Sequence, residues 1–185
     1  MPLCRNVFAQ LVAISPLGLL VAVAPASAAP PAPVTASAEF ASPEQYSSDP
    51  GGVSAISYDP AAVPLGGRVT VTEALNKWGG MSVTLDLTGV RPRQTYRAYV
   101  HVDSCGAAAS RAGERLRNGP SPDSYEANEI WIEATADSDG NATGAVDKYW
   151  GIAANQHANS VVLHLGDSAP VKACVTVPFQ RLAEW

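Results

Sequence analysis

The 185-residue chain has no block of like charge, no internal repeat, and no apolar stripe at helical spacing longer than a turn or two. Its 12 basic and 17 acidic residues leave a net charge of −5 and are scattered, so the electrostatic footprint of a nucleic-acid-binding protein is missing. Histidine is scarce, with three in all. Gly-x-Ser-x-Gly, a phosphate-cradling glycine loop and His-Glu-x-x-His are absent, which leaves hydrolase and nucleotide chemistry without a foothold. Asp86, Glu129 and Glu133 fall at strand positions read as solvent-facing, and no two carboxylates stand at catalytic spacing.

Only one long apolar run occurs, from Val7 to Val23, behind Arg5 and ahead of Ala26-Ser27-Ala28. It is short for a membrane span and is broken by Pro16. Residues 1–28 therefore read as a secretory signal, with no membrane span left in the mature form and secretion as the expected destination. From 29 to 52 the composition is Pro, Ala, Ser and Gly with few large apolar residues, which predicts a disordered linker. Cys4 leaves with the signal, and Cys105 and Cys174 remain. In an oxidising compartment the pair reads most simply as one disulfide, worth about 4 kcal/mol in the chain-entropy model. A thiolate metal site is the alternative, but neither cysteine has a second cysteine or a histidine at close-ligand spacing.

From residue 53 to 185 the pattern becomes β. Arg68 to Glu73, Ser82 to Leu87 and Tyr96 to Val102 alternate apolar and polar residues, each bounded by Gly, Pro or Asn. Further strands are expected at Glu129 to Ala134, Thr143 to Tyr149, Ser160 to Leu165 and Lys172 to Pro178, with a hairpin turn at Asp137 to Asn141. Ala108 to Leu116 holds helix-favouring residues. About seven short strands with regular turns predict an all-β Greek-key sandwich or flattened barrel.

The run Arg97-Ala98-Tyr99-Val100-His101-Val102-Asp103-Ser104-Cys105-Gly106, read with Val161-Val162-Leu163-His164 and Lys172-Ala173-Cys174, resembles the copper/zinc superoxide dismutase family. Tyr58-Asp59-Pro60, Gly89-Val90-Arg91-Pro92, Tyr125 to Trp131 and the closing Cys174-Val175-Thr176-Val177-Pro178-Phe179 are similar to its secreted bacterial branch. The resemblance implies a β-sandwich, a Cys105–Cys174 disulfide, and His101 and His164 as copper ligands acting on superoxide or another small anion.

The chain departs from that family at several positions. Tyr99 stands where the first histidine of His-x-His belongs, and Arg115 where a histidine bridges copper and zinc. Val171 replaces an anion-guiding arginine, with Lys172 on the other face. Zinc is not expected, since His157 is the one histidine left and lies in a polar loop.

By the two-residue period of a strand, Tyr99, His101 and Asp103 share a face, to which His164 comes from a neighbouring strand. Two imidazoles, a phenol and a carboxylate suit copper(II) or iron, while a guanidinium from Arg115 beside them opposes a cation. The functional expectation is weak or absent superoxide dismutation with copper. The competing expectation is a non-catalytic extracellular binding or structural module. A copper chaperone would need a soft thiolate or methionine set, which this chain does not offer. Of the tryptophans, Trp131 reads as core and Trp78 as an exposed hairpin-tip contact, the feature behind a lectin-like alternative.

Overall fold

A computed structural model describes residues 31–46, 54–120, 125–166 and 170–183, so the expected signal at 1–28 lies outside the described residues. The alternating segments become nine strands: β1 (Val34–Ala41), β2 (Ala55–Ser57), β3 (Arg68–Leu75), β4 (Met81–Thr88), β5 (Thr95–His101), β6 (Trp131–Thr135), β7 (Ala142–Lys148), β8 (Ser160–Leu165) and β9 (Ala173–Thr176). They form one sheet in the order β6-β5-β8-β9-β2-β1-β3-β4-β7. The sheet curls until its end strands meet. A β-carbon on Gly144 of β7 would run into the carbonyl of Glu133 on β6, and only glycine permits that approach. The fold is the expected all-β flattened barrel.

Its inner face is built from side chains two residues apart. Val69, Val71 and Leu75 of β3, Val83, Leu85 and Leu87 of β4, Tyr96, Ala98 and Val100 of β5, and Val161 and Leu163 of β8 fill one core. Tyr96 closes one end, its hydroxyl donating to the Ala62 carbonyl at 2.7 Å and accepting the Arg91 N–H at 3.0 Å.

The boundary of the barrel is not where composition puts it. The expected linker at 29–52 contains β1, which pairs antiparallel with β3 from Val34↔Glu73 to Glu39↔Arg68 and touches β2 in parallel at Phe40↔Ala55. Val34, Ala36, Ala38 and Phe40 alternate with polar residues, and Ala36 and Phe40 are buried. A strand that faces a tight corner needs small residues, and these look like linker when counted rather than spaced. A 3-10 turn (Pro43–Gln45) follows, after which the Tyr46 hydroxyl donates to the Cys105 carbonyl at 2.7 Å.

Other expectations also change. Ala108 to Leu116 is not helical beyond a 3-10 turn at Ala109–Ala112; it then extends along the end of β5. Glu129 is buried rather than solvent-facing, and Trp131 is half-buried on the outer face rather than in the core. Trp78 does stand exposed at the β3–β4 hairpin tip.

Cys105 and Cys174 are joined, and both are buried. At the opposite side of the barrel the final segment is held by a buried acid. Glu73 accepts the Gln180 backbone N–H at 2.7 Å, while the Gln180 side chain donates to the Ala32 carbonyl at 2.9 Å. Burial pushes the Glu73 carboxyl up to about 7, against the stabilising Gln180 N–H. Glu73 Oε1 and Gln180 Oε1 are both buried without a partner.

Candidate functional site

The sequence candidates meet on the outer face of the half-sheet β6-β5-β8-β9-β2. On β5, Arg97, Tyr99 and His101 point away from the core that Tyr96, Ala98 and Val100 enter. An outer face ordinarily meets water, yet Tyr99, Val162 and Cys174 are buried there. The cover is the stretch 102–118, clamped by the disulfide and laid beside the end of β5. The Val102 N–H donates to the Glu114 carbonyl at 3.0 Å and the Leu116 N–H to the Val100 carbonyl at 2.9 Å. That register sets Arg115 opposite His101.

Arg115 does not reach for solvent. Its guanidinium carbon lies 3.5 Å from the centroid of the Tyr99 ring, a cation–π stack. The same guanidinium donates to Glu129 Oε2 at 3.2 Å, and Arg117 donates to Glu129 Oε1 at 3.3 Å. Glu129 is thus a buried carboxylate with a cation on each oxygen, the arrangement that makes burying its charge tolerable. Two arginines spaced two apart in an extended segment were its only trace in the sequence, and their common partner lies 12 to 14 residues away.

His101 donates from Nδ1 to the Gly113 carbonyl at 2.9 Å, because a carbonyl can only accept. Nε2 therefore carries the lone pair, and it is buried with no hydrogen-bond partner. Burial pushes this histidine below its ordinary value, the Gly113 bond opposing and the Arg115 cation and the neighbouring His164 reinforcing. It is a neutral imidazole beside a fixed cation.

The second copper candidate comes to the same outer face from β8. In the β5–β8 ladder His101 is opposite Ser160 while His164 is opposite Arg97. Four residues of strand separate the two backbone positions, yet His164 still acts electrostatically on His101. Tyr99 stands between them on the same face, its ring edge-to-face with His164 at 5.5 Å and 83°. Asp103 lies past the end of β5, exposed, with its carboxylate against Gly113. Among the described residues no three His, Cys, Asp or Glu side chains gather to hold a metal. The lone pair of His101 is the one feature that suits copper. The phenol between the histidines and the guanidinium over it do not. His157 is exposed, and Lys172 pairs with Asp59 at 2.7 Å rather than entering the site.

The geometry defines an all-β flattened barrel with an aromatic–cation cluster under a disulfide-pinned cover. No protein-family model and no curated protein matches the chain. Among solved structures it is similar to crystal structures of a SOD-like protein from Bacillus subtilis. One is a double mutant with a tyrosine-to-histidine and a proline-to-histidine change: 10% identity, TM-score 0.44, 60% of this chain and 88% of that one covered. The other has the proline-to-histidine change alone: 11% identity, TM-score 0.42, 62% and 90% covered.

Proposed function

We propose that this chain is an exported relative of the copper/zinc superoxide dismutase-like class that works as a non-catalytic extracellular module. The observation that carries the reading is the Arg115 guanidinium 3.5 Å over Tyr99, the residue that lies between the two candidate ligands in the strand register. Redox cycling of superoxide needs a metal held in two oxidation states with an open coordination position. Support comes from a tyrosine in place of a ligand histidine, a guanidinium stacked on it, and a single unpartnered imidazole nitrogen at His101. The sequence resemblance supports the ancestry, and the Tyr99 and Arg115 exchanges support the loss.

The test is copper loading followed by dialysis, elemental analysis and a superoxide-consumption assay on the same sample. The expected outcome is no retained copper and no activity above a free-copper control. The competing reading, a reworked copper centre, is favoured by the unpartnered His101 Nε2. One copper per chain, lost in both His101→Ala and His164→Ala, would establish it and overturn the present one.

A further inference from the structure

We propose that the cleft between β6 and β7 is a carbohydrate-binding site, gripping a short stretch of glycan between Trp131 and Tyr149. The cleft exists because the end strands of the sheet touch and then part. At Gly144 the two backbones are in contact. Beyond it they diverge into an open groove of about 430 Å³, with Val146 in its floor and Trp131, Glu133, Asp147, Lys148 and Tyr149 along its walls. That volume falls in the range of small-molecule sites, about 300–1,000 Å³.

The lining selects the ligand class. Tyr149 is 80% exposed, so its ring is open to a ligand in the cleft. Across the cleft Trp131 is half-buried, with the Arg97 guanidinium 4.9 Å from its centroid and Arg97 fixed in turn by Glu133 at 2.9 Å. The tryptophan is thus a ring held in place, not a loose one. A sugar ring offers an apolar C–H face to such aromatics and a rim of hydroxyls that both donate and accept. Glu133 and Asp147 supply acceptors and Lys148 a donor, so the rim is matched in both senses. An anionic surface or a nucleic acid would instead call for a single-sign field, and here both signs alternate. An added peptide strand needs a free edge along β6. The contact at Gly144 blocks the middle of that five-residue strand, leaving too little ladder. This inference stands apart from the metal question, since none of its residues belongs to the Tyr99–Arg115 cluster.

The experiment is a binding panel on the intact mature protein. It uses cellotetraose, chitotetraose and mannotetraose by tryptophan fluorescence and calorimetry, with insoluble cellulose and chitin by pull-down. Saturable binding to at least one probe is expected. Tyr149→Ala should weaken it about tenfold or more, the weight of one aromatic anchor, with an unchanged melting temperature because the ring is exposed. Glu133→Gln should weaken it in the same direction. Trp78→Ala, at the hairpin tip, should bind like the parent. Absence of binding across the panel overturns the proposal, as does binding that survives both Tyr149→Ala and Glu133→Gln. Binding lost in Trp78→Ala alone also overturns it.

Discussion

The two halves of the barrel use the same alternation and treat their outer faces in opposite ways. In β3 and β4 every second residue is buried and those between meet solvent, with Thr35 opposite Thr72, Ser37 opposite Thr70 and Thr143 bonded to Asp86. In β5 and β8 the alternation breaks: three successive residues of β5 and four of β8 are buried. A second layer therefore lies on that half, and the functional candidates lie beneath it. Each half also hides a titratable group whose neutral form burial favours. Glu73 in the open half favours the protonated form, and His101 in the covered half favours the unprotonated one. Both remain neutral without a charge partner of their own. Burial is the largest influence at each, opposed at Glu73 by the Gln180 N–H and reinforced at His101 by Arg115.

The largest way to break the comparison is to unpin the cover. Cys105→Ser opens a loop whose ends are 69 residues apart, and should cost about 4 kcal/mol in urea unfolding. An unchanged midpoint under non-reducing conditions would mean that the cover holds without the bridge.

Next comes Glu73. Its folded value, about 7, lies above the ordinary 4.5, so between those pH values the folded state keeps a proton that the unfolded chain has lost. Stability contributed by this group is full below about pH 4.5 and falls by about 3 kcal/mol as pH rises through 7. Glu73→Gln should remove that slope, measured as the difference between parent and variant at pH 5 and pH 8. A parallel pair of profiles would sink the assignment.

Arg115→Ala should cost about 2 kcal/mol, below the roughly 3–5 of a fully broken buried pair, because Arg117 still bonds Glu129. A sharper reading comes from His101. Its folded value is depressed, so its contribution is present above the unfolded value near 6.5 and is lost as pH falls below it. Removing the Arg115 charge should raise the His101 midpoint in an NMR titration. No movement would mean that desolvation acts alone. On the open face, Thr35→Ala and Ser37→Ala should each change stability by about 0.5 kcal/mol or less. A larger loss there would erase the distinction between the two faces.

Much of this fold was legible because three segments alternate clearly and four more are short strand-like runs bounded by turns, and the cysteine pair was legible because only two cysteines lie outside the expected signal at 1–28. β1 was not, since Ala36 and Ala38 give little hydrophobic contrast against Ser37 and Thr35. The sharing of one face by Tyr99 and His101 followed from their spacing. The distance to His164 did not, because it depends on the register of β8 against β5, which no local pattern records. Glu129 was misread for a related reason. A carboxylate at the head of a strand looks solvated until two arginines from a distant loop are folded over it.

The hydrogen bond from Gln180 to Ala32 has a further consequence. It brings the start and the finish of the described barrel to a single doorway, an economy shared with many domains that tolerate insertion. Anything fused before residue 32 or after residue 183 would depart from that one side. Leu182 packs beside Gly79 and Gly151, so a fusion after residue 183 would leave next to the Trp78 hairpin tip. Such a barrel can be rewired by joining its ends and opening a loop elsewhere, while an attachment at its finish would shade the Trp78 tip.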